Sequence, residues 1–276
     1  MTIPVLFLHV GDSNAVLERV IHQAAKLNKV ILIGDSNTAY LKDKFSIGFI
    51  ELDAIIDEDF VEFNKLYEHL STNPEFIERF CFLRWFAVRN LMERANLDRA
   101  FYADSDVMLY CNVEEENAKY EQFDMTLVHR CCGSTSFFSK KSLNTFCDYL
   151  LDIYRDKDGF PYGDLKNKYK NMREHNKDGG VCDMTLLDRF HYEDSKGGGP
   201  CRIGEMTHVF DNSTYDHNIN VDDGVYEHNG RHKTIKFENG EPYCFNKNLN
   251  KLVKFNALHF QGPAKLLLMH NQIDGL

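Results

Sequence analysis

Two short apolar runs separated by one amphipathic stretch open the chain, and that order commits it to a parallel pair of strands. The runs are Val5-Leu6-Phe7-Leu8-His9-Val10 and Lys29-Val30-Ile31-Leu32-Ile33. Between them Val16, Val20, Ile21, Ala24 and Leu27 fall at helical spacing. A strand, a helix and a strand in succession join through a right-handed crossover, so the sheet begins parallel and needs cover on both faces. Gly11-Asp12-Ser13-Asn14 closes the first run and offers helix caps, and Gly34-Asp35 closes the second. Phe49 to Leu52 reads as a third, shorter strand. Ligands of open α/β sheets gather outside the carboxyl ends of the strands, which is where His9 and Asp35 fall.

Apolar spacing predicts helices over Asp57 to Leu70 and Glu75 to Asn96, the second offering Phe76, Phe80, Leu83, Val88, Leu91 and Met92 to the core. Phe101 to Leu109 then reads as the central strand and carries Asp104-Ser105-Asp106. Two carboxylates one residue apart in a buried strand repel each other unless something positive sits between them. A divalent cation bound by hard oxygen ligands is the usual answer. The alternative is a strand end whose aspartates cap the next turn. Asp104 joins His9 and Asp35 on the same sheet edge.

The second half changes character. Met125 to His129 and Ser134 to Ser139 are strand candidates, followed by a helix from Ser142 to about Tyr154. Arg155 to Gly180 is charged, polar and glycine-containing, and reads as a mobile excursion. Asp183 to Phe190 predicts a short helix, Gly197-Gly198-Gly199-Pro200 a hinge, and Glu238-Asn239-Gly240-Glu241 the turn of a hairpin within His232 to Phe245. The expected architecture is an α/β core followed by a mixed, partly antiparallel half.

Composition narrows the partners. With 276 residues and 43% hydrophobic content the chain can bury one large core, and a single domain over 1–276 is expected. A net charge of −10 and a pI near 5.6 argue against nucleic acid or an anionic membrane as the main partner. The eight cysteines form no CxxC pair and no zinc spacing, which favours a reducing compartment. No run approaches the ~20 apolar residues of a membrane span, and the N-terminal run lacks the form of a signal peptide. A cytoplasmic location is expected, with peripheral membrane association compatible with it.

Near the C-terminus stands His259-Phe260-Gln261-Gly262-Pro263-Ala264-Lys265. Alone, the histidine reads as a packed or capped residue and Gly-Pro as turn chemistry. Combined with the aspartate pair, it completes a metal site of two carboxylates and one imidazole with positions left for phosphate oxygens. The glycine permits close backbone approach, and the lysine supplies a positive charge.

At these residues the sequence resembles metal-dependent glycosyltransferases of the GT-A fold, closest to the glycogenin and bacterial lipopolysaccharide galactosyltransferase type (family 8-like). Phe101-Tyr102-Ala103-Asp104-Ser105-Asp106-Val107 resembles that family's DxD strand, and His259-x-x-Gly262-x-x-Lys265 its C-terminal HxxGxxK element. Arg84 resembles a basic residue near the donor sugar, and Asp183 the acidic residue of a DQDxLN-like motif facing the transferred sugar. Two features depart from the family. Leu266-Leu267 stands where Pro-Trp is common, and Val181-Cys182 precedes the single recognisable aspartate.

The resemblance implies a GT-A domain with a nucleotide-binding half, 1–110, and an acceptor-side half, 111–276. It implies Mn²⁺ or Mg²⁺ held by Asp104, Asp106 and His259. A nucleoside-diphosphate sugar, a UDP sugar by that resemblance, would meet Asp104, Ser105, Gly262 and Lys265. His9, Val10 and Asp35 would line the base and ribose pocket, and Arg84 and Asp183 would act on the sugar. The implied acceptor is a glycan, a lipid-linked intermediate or a protein, with retention of configuration favoured.

Two other readings stand beside this one. Asp104-Ser105-Asp106-Val107 also fits the DxDx[TV] motif of haloacid-dehalogenase-type phosphatases, in which the first aspartate is the nucleophile and Mg²⁺ the cofactor. That motif normally opens its domain, whereas a βαβ unit precedes it here. The third reading is a nucleotide-sugar binder without catalysis. Trp85 reads as core, Glu114-Glu115-Glu116 as a solvated acidic turn, and His208 and Asp211 as residues that could approach the acceptor.

Overall fold

The N-terminal unit folds as its apolar pattern demands. β1 (Val5–Leu8) and β2 (Val30–Gly34) are parallel neighbours with Val5 opposite Val30, and α1 (Ala15–Ala25) crosses between them. The Asn14 side-chain oxygen caps α1 by accepting from the Val16 and Leu17 N–H groups at 3.0 Å. α2 (Leu41–Phe45), which the sequence reading missed, leads to β3 (Gly48–Glu51), parallel to β2. α3 (Glu58–Leu66) starts from the Asp57 side-chain cap, and α4 (Glu75–Arg94) is the long helix. β4 (Arg99–Ala103) pairs parallel with β1. The computed structural model describes residues 2–193, 199, 201–270 and 273, so most of the glycine-rich hinge at 197–200 lies outside the described residues.

The expected strand over Phe101 to Leu109 is two strands in two sheets. β4 ends at Ala103, and β5 (Val107–Leu109) belongs to the second sheet. Asp104-Ser105-Asp106 is the turn between them, closed by the Val107 N–H donating to the Asp104 carbonyl at 3.0 Å. Asp and Ser side chains compete for backbone groups and favour turns over a continued ladder.

The short α5 (Val113–Asn117), capped by Asn112, replaces the expected solvated acidic turn. Its Glu116 is drawn inward by Lys119 and Asn256, both at 2.8 Å. β6 (Met125–Leu127), β7 (Thr135–Ser139) and β8 (Ile203–Glu205) complete the first sheet, ordered β3-β2-β1-β4-β7-β6-β8 among the described residues. It is parallel from β3 to β4 and antiparallel across β7. α6 (Lys140–Arg155) follows β7. The stretch expected to be a mobile excursion carries α7 (Phe160–Glu174), whose Tyr162 and Leu165 are buried. Tyr162, Leu165 and Tyr169 make a helical stripe that the intervening lysines obscured. α8 (Asp183–Glu193) comes next.

The second sheet is built late in the chain. β9 (Ser213–Tyr215), β10 (Lys236–Glu238), β11 (Glu241–Asn246) and β12 (Lys251–His259) join β5 in the order β10-β11-β12-β5, with β9 parallel to β12. The hairpin turn between β10 and β11 sits where expected, and Asn239 and Gly240 take φ of 54° and 81°, the left-handed pair a two-residue turn requires. α9 (Lys265–Met269) ends the described elements.

Alternation along β1 and β4 divides the core. Val5, Phe7, Phe101 and Ala103 pack with α1 and the second sheet, while Leu6, Leu8, Ala100 and Tyr102 pack with α4 and α6. Each such side chain contributes roughly 1.5–3 kcal/mol when fully buried. Trp85 has no exposed surface and sits in the second of these clusters, as expected. Phe76 does not join the core and is 74% exposed at the start of α4. Among the described residues no helix is long and apolar enough to cross a membrane.

Candidate active site

The carboxyl ends of β1, β2 and β4 open onto a cleft of about 760 Å³. His9 follows β1, and its Nδ1 lies 3.1 Å from Ser105 Oγ. Asp35 follows β2 and accepts from the Gly11 N–H at 2.6 Å, a contact made with Gly11 at φ 95°. That backbone conformation suits glycine and strains other residues. Val10, Gly262 and Lys265 line the same cleft.

The aspartate pair is held by different partners. Asp104 Oδ1 accepts from Arg84 Nη1 at 2.5 Å and from the Tyr102 hydroxyl at 2.8 Å. Asp106 presents Oδ1 to His259 Nε2 at 3.3 Å and Oδ2 to Lys265 Nζ at 3.1 Å. Burial raises the Asp104 carboxyl above its usual range, with Arg84 pulling against the shift and Asp106 pushing with it. Burial acts on Asp106 the same way, but His259 and Lys265 outweigh it and hold that carboxyl low. Two neighbouring carboxylates thus have opposed proton affinities.

Sheet register explains how a histidine so distant in sequence arrives here. β12 pairs antiparallel with β5 so that His259 lies opposite Val107, and the Phe260 N–H donates to the Asp106 carbonyl at 2.9 Å. His259 is 3% exposed, and its Nδ1 lies 2.6 Å from the His217 carbonyl. A carbonyl only accepts, so Nδ1 carries the proton and a neutral ring leaves a lone pair on Nε2. That lone pair faces the Asp106 carboxylate, and two acceptors at such a distance need a proton or a cation between them. Burial alone would lower the imidazole's proton affinity, but the Asp106 and Asp104 carboxylates raise it. Asp104, Asp106 and His259 each offer one donor atom, all within 4.8 Å of one another. Two oxygens and one imidazole nitrogen fit a Mn²⁺- or Mg²⁺-class ion, and a hydrogen bond to the far ring nitrogen is how metal-binding histidines are normally oriented.

Arg84 ties the cleft to α8. Its Nη2 donates to Asp183 Oδ2 at 2.5 Å, its guanidinium lies over the Trp85 ring at 4.5 Å, and Trp85 Nε1 donates to the same carboxylate oxygen at 3.0 Å. The Met184 N–H occupies Asp183 Oδ1 at 2.9 Å. Asp183 is 2% exposed and reaches the cleft through Arg84 rather than by lining it.

Several participants escaped the sequence reading. Tyr102 and Trp85 hold the two carboxylates that Arg84 bridges, and Asp216 Oδ2 accepts the His259 N–H at 3.2 Å. No local pattern announces any of these. Phe76, Ile77 and Phe80 also line the cleft, whereas the sequence reading offered Phe76 and Phe80 to the core; the signal that could have found those two is their spacing, eight and four residues before Arg84 on one helix face. His208 and Asp211 line a different cavity.

No known family model and no curated protein sequence matches the chain. Among solved structures, apo mouse xyloside xylosyltransferase 1 is 9% identical, with 76% of this chain and 87% of that chain covered and a TM-score of 0.50. A glycosyltransferase involved in glycosylation of the major capsid of PBCV-1 is 12% identical over 74% and 81%, at a TM-score of 0.35. Mycobacterium tuberculosis glucosyl-3-phosphoglycerate synthase, with Mn²⁺, UDP and glucosyl-3-phosphoglycerate, is 11% identical over 74% and 68%, at 0.39. The xylosyltransferase likeness shows the fold, the mixed α/β arrangement of GT-A-type glycosyltransferases.

Proposed function

We propose that the protein is a metal-dependent glycosyltransferase of the glycogenin and lipopolysaccharide galactosyltransferase type, its catalytic unit spanning 1–276. It transfers a hexose from a UDP sugar, with retention, to a glycan, lipid-linked or protein acceptor in the cytoplasm. The observation that carries this reading is the convergence of Asp104, Asp106 and His259 donor atoms within 4.8 Å at the carboxyl edge of a parallel sheet. A Mn²⁺ or Mg²⁺ ion held by these three supplies Lewis-acid stabilisation of the negative charge that leaves with the diphosphate.

The remaining residues have separable tasks on this reading. Lys265, about half exposed and now paired with Asp106, turns its ammonium to the donor phosphates. Gly262, at φ 59° with open space around its Cα, lets those phosphates approach the backbone. His9, Val10, Asp35 and Ser105 bind base and ribose. Arg84 orients the transferred sugar, and Asp183 acts through Arg84 by holding its guanidinium in place. Both Asp183 oxygens already accept hydrogen bonds from fixed donors, which suits positioning better than proton abstraction from the acceptor and supports retention.

The test offers UDP-glucose, UDP-galactose and related donors with Mn²⁺ or with chelator, and follows UDP release. Metal-dependent release that vanishes in Asp106→Asn and falls sharply in His259→Ala is the expected result. Release of phosphate from a simple phosphoester without sugar-nucleotide turnover would instead establish the phosphatase reading. Tight UDP binding without turnover on any acceptor would leave a binding protein.

A further inference from the structure

Every hydrogen-bonding group of His259 except Nε2 is engaged by one short segment, residues 216–219. Asp216 Oδ2 accepts the His259 N–H at 3.2 Å, the His217 carbonyl lies 2.6 Å from Nδ1, and the Ile219 N–H donates to the His259 carbonyl at 3.0 Å. The segment follows β9, which ends at Tyr215, and runs beside the end of β12 without being a strand itself. The Asp216 N–H adds a bond to the Ala257 carbonyl at 3.1 Å. An imidazole held at Nδ1 swings Nε2 with whatever moves the His217 carbonyl. The aim of the metal-facing nitrogen is therefore set by where this segment sits.

Lys233 fixes that segment. It is 3% exposed, and an ammonium buried so deeply needs its donors matched. Nζ donates to the Asn218 and Val221 carbonyls at 2.8 and 3.0 Å. It also lies 3.1 Å from Asp216 Oδ1, an ion pair without the alignment of a hydrogen bond, and 4.0 Å from Asp223 Oδ2. The Lys233 N–H donates to the Ile219 carbonyl at 2.9 Å, so main chain and side chain of one residue grip the same stretch. The carbonyls of Asn218, Ile219 and Val221 thus turn to Lys233, while that of His217 turns to the imidazole. Asp216 is 2% exposed, and a carboxylate so placed needs a compensating cation to stay where the His259 N–H can reach it.

We propose that Lys233 is a positioning residue for the metal site. It acts through Asp216 and the 216–221 backbone to keep His259 Nε2 aimed at the Asp106 carboxylate. Lys233 does not line the cleft, so its effect passes through the histidine. The inference rests on the reading of Asp104, Asp106 and His259 as metal ligands.

The protein is titrated with Mn²⁺ alone, free Mn²⁺ being read from its sharp EPR signal. Pulsed EPR then tests the bound ion for the nitrogen modulation of a coordinated imidazole. Removing the support of a metal-binding histidine lowers metal affinity roughly 10- to 100-fold. Lys233→Met should show a loss of that size, with the nitrogen modulation weakened or absent while Asp104 and Asp106 still hold the ion. Asp216→Asn, close in shape, keeps the Asn218 and Val221 contacts of Lys233 but loses the charge pair, and should fall between Lys233→Met and the native protein. A Lys233→Met protein with a lowered urea midpoint but native Mn²⁺ affinity and nitrogen modulation would make Lys233 a merely structural residue and overturn the proposal. Should Lys233→Met fail to fold, undiminished affinity in Asp216→Asn overturns it in the same way. Native protein that binds Mn²⁺ without nitrogen modulation, or not at all, would remove His259 from the site and the metal reading with it. Native signals with unmoved variants would remove the role of Lys233 alone.

Discussion

His259 aims Nε2 at Asp106 Oδ1 from 3.3 Å because the β5–β12 ladder sets it opposite Val107. The His217 carbonyl, 2.6 Å from Nδ1, decides which nitrogen points that way. A backbone register and one carbonyl thus turn two residues 153 positions apart in the chain into a pair of donors.

Saturating Mn²⁺ should stabilise the fold, since donors contributed by the inter-sheet turn and by β12 converge only in the native state. A ligand at a hundred times its Kd adds about 2.7 kcal/mol. Thermal melts in Mn²⁺ and in chelator should differ for the native protein and coincide for Asp106→Asn. An equal shift in both would place the metal elsewhere.

Without metal, stability should fall as pH rises. The folded-state affinity of His259 for a proton is raised above the ordinary value of 6.5, burial being outweighed by Asp106 and Asp104. A raised group contributes stability that is fully present below its unfolded pKa and is lost as pH climbs through the folded one. Chelator-treated protein should therefore melt lower as pH increases above about 6.5, and His259→Gln should flatten that slope. A slope unchanged in the variant would assign it to other groups.

Arg84→Leu should be severely destabilising. It leaves Asp104 and Asp183 without the cation that bridges them, and breaking a buried ion pair costs about 3–5 kcal/mol. Arg84→Lys should recover only part of this, because one ammonium lacks the planar fork that reaches both carboxylates. Urea unfolding midpoints measure both, and a loss below about 1 kcal/mol for Arg84→Leu would contradict the bridge.

Gly133→Ala tests the packing behind the site. A Cβ there would stand 2.5 Å from Trp85 Cη2, so the indole must move, and its N–H is one of the donors on Asp183. Overpacking of this kind costs typically 1–3 kcal/mol. Trp85 is the only tryptophan, so its emission spectrum reports the displacement directly. An unshifted spectrum would show that the wall yields elsewhere.

Much of the scaffold was readable because short-range pattern dictates it. The alternation of Val5, Leu6, Phe7 and Leu8 and the helical spacing of Val16, Val20 and Ile21 specify strand and helix without reference to anything distant. Asn239-Gly240 specified its hairpin for the same reason. Failures came where neighbouring residues masked a local pattern. The lysines of α7 hid Tyr162, Leu165 and Tyr169, and the apolar flanks of Asp104-Ser105-Asp106 hid a turn between two sheets.

By itself the sequence determined the βαβ opening and the sheet edge where His9, Asp35 and Asp104 gather, and it singled out Asp104, Asp106, His259 and Lys265 as residues to be brought together. Only the tertiary structure decided that Asp106 meets His259, that Arg84 bridges Asp104 to Asp183, and that Asp216 and His217 position the imidazole. Those contacts depend on the pairing of β5 with β12 and the docking of α4 against α8. Such long-range choices are made by burial of whole apolar faces rather than by the residues they bring together, so the site residues carry no local signal of one another.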